Sequence, residues 1–243
     1  LTEVDQSNEV NEPLIDAVTW TEEQLLSAEK ETLGLYLSGH PIDRYVEELA
    51  RFIPKRINQL DAPESKGYQR NEKSVITAGL IVAIRTMKGR NGGRMAFITL
   101  DDQTARLEGR VFAEVYEQYQ DRLQPDKLVV IQGKIGQDNF TGGLAATAET
   151  VYDMARAREI CGKTLVVTID NTESIAEIVM PIQTVLNSFR DGLTTIELEY
   201  VNKDARTLIR MGDEWKVTPT DNLIADLLKL PIVSAVKMNY GSM

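Results

Sequence analysis

Residues 73–100 contain Lys73, Arg85, Lys88, Arg90 and Arg94 and not one acidic side chain. Cations gathered without counter-charges are the chemistry of phosphate binding, because each can replace a condensed counterion on a nucleic-acid backbone. Aromatic groups fall among them: Phe97 follows shortly, and Phe140 lies in a glycine-flanked stretch, Asn139–Gly143. An aromatic ring beside an arginine gives a base a surface to stack on and a phosphate a partner. Two plainer readings stay open: a solvated basic loop, and aromatic side chains that belong to a core.

Short alternating runs must position these residues. Strands are expected over Val75–Thr86, Arg94–Leu100, Ala105–Phe112, Lys127–Ile135 and Leu144–Tyr152, with a helix at Ala113–Leu123. In the second, Ala96, Ile98 and Leu100 share one face, and Met95, Phe97 and Thr99 the other. In the third, Leu107 and Val111 oppose Arg106, Glu108, Arg110 and Phe112. With the aliphatic set inside, Phe97 and Arg110 stand outward on adjacent strands. Five strands with a helix between the third and fourth is the order of an oligonucleotide/oligosaccharide-binding (OB) barrel. Such a barrel binds nucleic acid on strands 2–3 and on the loops joining strands 1–2 and 4–5, here Met87–Gly93 and Gly136–Gly143.

The rest of the chain frames that barrel. The net charge of −10 is uneven: −8 over residues 1–72, +1 over 73–160 and −3 over 161–243. Residues 1–19 are polar and acidic and are expected to be flexible, and 61–72 form a linker rich in Pro, Gly, Ser and charge. Between them, 20–60 is a helical segment. Thr21 is expected as N-cap with Gln24 completing a capping box, and Trp20 and Leu25 as a staple. Leu25, Leu26, Leu33, Tyr36 and Leu37 make one face, stopped by Gly39 and Pro41, and a second helix covers about Ile42–Phe52. Residues 161–243 predict a small α+β domain. Its elements are a strand Thr164–Ile169, a helix Ile175–Phe189 kinked or split at Pro181, strands Thr194–Val201, Arg206–Met211 and Glu214–Val217, a helix beginning at Thr218–Pro219–Asp221, and a last strand Ile232–Met238. The whole is multidomain, mainly β plus α+β.

Several chemistries lack their residues. One histidine, His40, and one cysteine, Cys161, cannot build a Cys/His metal site or an internal disulfide, and the single cysteine fits the cytoplasm. There is no G-x-x-x-x-G-K-[ST] phosphate loop, no apolar run that would span a membrane and no nucleophile–base set, so neither cofactor nor metal is expected. Asp101–Asp102 follows the second strand, where a hairpin turn is needed, and reads as that turn.

Longer phrases carry a resemblance. Glu31–Ile42 (ETLGLYLSGHPI), Leu100–Asp102 with Arg106–Glu108 and Val111–Phe112, Asn139–Leu144, and Trp215–Asp221 (WKVTPTD) resemble the alpha subunit of bacterial DNA polymerase III, in order and over about residues 20–240. That family is a DNA-directed DNA polymerase, a nucleotidyltransferase of DNA replication. The resemblance implies its non-catalytic C-terminal part, with the metal-binding catalytic residues upstream. It implies an OB domain that contacts single-stranded template, for which Arg85, Lys88, Arg90, Arg94, Phe97, Arg110 and Phe140, read above from charge and alternation, are the candidate contacts. It also implies a C-terminal domain that docks the tau subunit of the clamp loader, for which Trp215, Leu230, Ile232, Val233, Val236, Met238 and Tyr240 are candidate anchors on an apolar, reachable end of the chain. The sliding clamp would be met only through a segment absent from this chain; Gln183–Phe189 and Ala235–Tyr240 imitate its peptide poorly. The rival readings are an OB substrate-binding module of another nucleic-acid enzyme and a purely structural scaffold.

Overall fold

A computed structural model of the chain describes residues 20–61, 72–89, 92–138, 142–170, 175–201 and 206–240. It separates into two compact units, Leu1–Pro41 and Ile42–Met243.

In the first unit, helix α1 spans Glu22–Leu33 and opens with the expected capping box: the Gln24 N–H donates to Thr21 Oγ1 at 3.3 Å, and the Thr21 N–H to Gln24 Oε1 at 3.0 Å. It ends earlier than the apolar spacing predicts. Gly34, at φ 75°, is the left-handed C-cap, a conformation cheap only for glycine, so Tyr36 and Leu37 leave the helical stripe and Gly39–Pro41 stop nothing. The chain turns back, and the Glu29 carboxylate accepts from the N–H groups of Leu37 and Ser38 at 2.7 and 3.0 Å. His40 sits edge-on to the Tyr36 ring at 5.7 Å. Leu26 is buried, whereas Trp20, Leu25, Leu33 and Leu37 are exposed.

The second unit opens with a 3₁₀ turn, Asp43–Tyr45, and a short helix α2, Val46–Leu49, in place of one continuous helix. The barrel then closes through β1 (Lys73–Lys88), β2 (Arg94–Asp101), β3 (Arg106–Val111), β4 (Leu128–Gln137) and β5 (Leu144–Tyr152), in the order β1-β2-β3-β5-β4. Helix α3, Ala113–Tyr119, lies between β3 and β4. Only β3 and β5 pair parallel; the other barrel pairs are antiparallel. Ala96, Ile98, Leu100, Leu107 and Val111 fill the interior, as the alternation requires. The pair Asp101–Asp102 makes the expected turn: Asp101 Oδ1 accepts from the Gln103 N–H, and Asp102 Oδ1 from the N–H and hydroxyl of Thr104.

Helix α4, Met154–Cys161, follows β5, capped by Asp153, and was not anticipated. The second sheet contains β6 (Thr164–Asp170), β7 (Arg190–Val201), β8 (Arg206–Arg210) and β9 (Val233–Asn239), in the order β8-β7-β6-β9 with β6 and β7 parallel. Helices α5, Ile175–Asn187, and α6, Asp221–Leu228, pack with it around a shared apolar core. Three expectations are corrected here. α5 is not split at Pro181 but continues through it, and it ends at Asn187. Glu214–Val217 is not a strand: Asp213–Trp215 is a 3₁₀ turn, and Val217 makes only isolated bridges to Arg190 and Thr194. The cap of α6 is Thr220, whose hydroxyl accepts from the Leu223 N–H at 3.1 Å, so Pro219 precedes the cap instead of opening the helix. No described helix is long and apolar enough to cross a membrane.

Candidate nucleic-acid interface

Strand pairing places the outward residues in register around the barrel. Arg85 of β1 is the direct partner of Phe97 on β2, and Phe97 of Arg110 on β3. The row continues through Thr147 on β5 to Lys134 on β4. Directly opposed residues on neighbouring strands share a face, so a cation, an aromatic ring and a second cation stand side by side. The Arg85 guanidinium lies 5.4 Å from the Phe97 ring centroid, within cation–π range. Phe97 is half-buried and lies outside the barrel's core cluster.

At the end of the first hairpin Lys88 and Arg94 are register partners, and both are exposed. Among the described residues Arg85, Lys88 and Arg94 make no ion pair, whereas Arg106, Arg122 and Lys134 face Asp101 at 3.0 Å, Asp153 at 3.2 Å and Glu149 at 3.3 Å. Gly93 lets the hairpin approach α3, since a Cβ there would come within 2.8 Å of the Ala113 Cβ. Arg90 and Phe140 lie outside the described residues.

Arg110 is outward, as the alternation predicts, but it is already engaged. Its Nη2 meets Asp138 Oδ2 at 2.9 Å, with only 27% and 15% of the two side chains exposed. Asp138 and exposed Met87 fall within the two loops read as binding segments, but neither was singled out as a contact. Phe112, half exposed just beyond β3, was read as outward but not as a contact. An acid at the end of β4 gives no sequence signal of which strand it will face.

The seven candidate anchors of the C-terminal domain divide. Val233 and Met238 are core residues at 8% exposure, and Leu230, Ile232, Val236 and Trp215 are half-buried against the same core. Trp215 carries the Arg190 guanidinium over its ring at 4.0 Å. Tyr240 stacks on Phe52 at 5.0 Å, and its hydroxyl donates to Glu48. The expected reachable apolar end is thus mostly turned inward, because β9 belongs to a sheet whose apolar side is packed by helices.

Comparison with known proteins fixes the lineage. A family model for OB-fold nucleic acid binding domains matches residues 75–153, and one for the C-terminal domain of DNA polymerase III subunit alpha matches residues 181–230. DNA polymerase III subunit alpha of Vibrio cholerae is 34% identical over 98% of this chain, and that of Escherichia coli K12 is 33% identical over 97%. The chain belongs to the DNA polymerase III alpha family. It spans about a fifth of the length of those relatives, 20% in each, and it matches the family's C-terminal region, not the catalytic part. The resemblance read from the sequence is therefore shown, as is the barrel. Among solved structures, the yeast mitochondrial single-stranded DNA binding protein Rim1 aligns with a TM-score of 0.28 and 16% identity over 35% of this chain and 97% of its own, too remote to bear on binding.

Proposed function

We propose that this chain is the non-catalytic C-terminal part of a DNA-directed DNA polymerase, that its barrel holds single-stranded DNA, and that its second sheet docks the tau subunit of the clamp loader. The observation that carries the first binding reading is the Arg85–Phe97–Arg110 row leading to the exposed register partners Lys88 and Arg94. Cations at the hairpin would take phosphates while Phe97 stacks a base, a mode that tolerates any sequence. Arg90 and Phe140 belong to the same proposed path.

The test is fluorescence anisotropy of the full chain with labelled oligo-dT across a salt series. Wild type should bind with affinity falling as salt rises. Replacing Lys88 and Arg94 together by Ala should weaken binding and lower the log–log salt slope by about 0.7 for each lost phosphate contact. An unchanged isotherm removes the hairpin from the site.

The tau reading rests on the family, and Trp215 is its best accessible anchor, being a half-buried aromatic with a cation on its ring. Immobilised tau should capture the full chain. Trp215→Ala should weaken capture by tenfold or more, on the order of 1.4 kcal/mol, whereas the Lys88/Arg94 pair of changes should not. Absence of capture by wild type overturns this half of the proposal. Truncating the chain end is a poorer test, since it would take β9 from the sheet.

A further inference from the structure

We infer that Asp138 is a built-in competitor for phosphate at Arg110, so that the barrel's affinity for single strands is set low by an internal ion pair; this rests on the reading of the barrel as a single-strand binder. Arg110 occupies the middle of the outward row, next to Phe97 on one side and Thr147 on the other. A phosphate following a base stacked on Phe97 would meet its guanidinium, which favours phosphate through two-pronged hydrogen bonding. The 2.9 Å contact to Asp138 takes that position first. Both side chains are largely shielded from water, so the pair is less screened than a pair on an open surface. Binding DNA there must displace the carboxylate and then tolerate its charge close to a phosphate.

The backbone around Asp138 makes the idea testable. Its N–H donates to the Gly143 carbonyl at 2.7 Å, and its carbonyl accepts from the Gly142 N–H at 2.9 Å. Gly142, at φ 70°, supplies the left-handed residue of the turn. Both bonds use backbone atoms of residue 138 and are available to Asn as well, so Asp138→Asn removes the charge while keeping them. The neighbouring cations differ in kind: at the hairpin Lys88 and Arg94 carry no such acid, and the barrel presents phosphate with an open entry and a guarded centre.

The experiment is a double-mutant cycle on the full chain, Asp138→Asn and Arg110→Ala singly and together, with oligo-dT binding measured over a salt series. Asp138→Asn should tighten binding about fivefold at low salt, the scale of one partly shielded ion pair released. It should also steepen the log–log salt slope by about 0.7, one more phosphate contact on a single strand. In the Arg110→Ala background both gains should vanish. Asp226→Asn, a carboxylate on α6 paired with Lys229 at 2.8 Å, removes the same charge elsewhere and should leave binding as in wild type. Unchanged affinity and slope in Asp138→Asn would overturn the inference while wild-type binding still upheld the barrel reading. A gain that survives Arg110→Ala, or one matched by Asp226→Asn, would overturn it too. Absence of binding by every variant would sink the barrel reading and this inference together. Melting curves of all five proteins establish that each is folded.

Discussion

Arg158 and Glu48, 110 residues apart, form a two-pronged ion pair: Nε and Nη2 of the arginine donate to the two carboxylate oxygens, each at 2.8 Å. Arg158 is 3% exposed, and its remaining donor, Nη1, reaches the Pro219 carbonyl at 3.0 Å and Asp221 Oδ1 at 2.8 Å. Tyr240 donates to Glu48 and Tyr45 to Asp221. One guanidinium therefore joins the segment before the barrel, the helix after it and the C-terminal domain. Every polar atom of its fork has a use, which is what makes a buried charge tolerable.

Arg158→Met should destabilise the protein by about 3–5 kcal/mol, because it strands the largely buried Glu48 carboxylate and takes a partner from the half-exposed Asp221. Arg158→Lys should also be costly, since an ammonium cannot span the carboxylate and the carbonyl together. Urea denaturation of the full chain measures both; a loss below about 1 kcal/mol for the methionine variant would mean that the pair is structurally idle.

Acid should weaken the fold through Asp102. Burial works against charging this carboxyl, but the Thr104 hydroxyl and the N–H groups of Ile57, Thr104 and Ala105 outweigh it and hold it below the usual carboxylate range. A carboxyl held low in the folded state contributes stability in full above its unfolded value of about 3.9 and loses it as pH falls through the lower folded value. Thermal stability should therefore drop on acidification below about pH 4, and Asp102→Asn should flatten that drop. An identical acid profile for the variant would count against the assignment.

Gly133→Ala should disrupt barrel closure. A Cβ at Gly133 would come within 2.0 Å of the Thr147 carbonyl oxygen, at the irregular step between Gln132 and Gly133 in the β4–β5 pairing. Overpacking against backbone has no flexible neighbour to relieve it, so a cost of about 3 kcal/mol or more is expected. Gly142→Ala meets no atom within 4 Å and pays only for its positive φ, about 1–2 kcal/mol. Comparable chemical-denaturation midpoints for the two variants would refute the contrast.

Phe97→Ala should cost roughly 1–3 kcal/mol of oligo-dT binding if a base stacks on the ring. Arg85 would also lose the ring it lies on. Because Phe97 lies outside the core cluster, the melting curve should change less than the binding curve. The reverse pattern would return Phe97 to a structural role.

Local patterns carried much of this protein in its sequence. Alternation along β2 and β3 placed Phe97 and Arg110 outward, the Thr21–Gln24 spacing wrote the start of α1, and Asp101–Asp102 wrote a turn; each depends on neighbours within a few residues. The strand order of the barrel followed from the same short runs. The end of α1 was misread although its signal was local, because Gly34 and Gly39 are both possible stops and the apolar spacing favoured the later one. What tertiary structure alone decided was which charges and apolar groups meet. Asp138 finds Arg110 across the barrel, Arg158 finds Glu48 and Asp221, and the apolar residues of β9 turn inward because α5 and α6 share their core. Periodicity fixes the face on which a side chain stands, but a charge acquires its partner only when distant strands and helices close on one another.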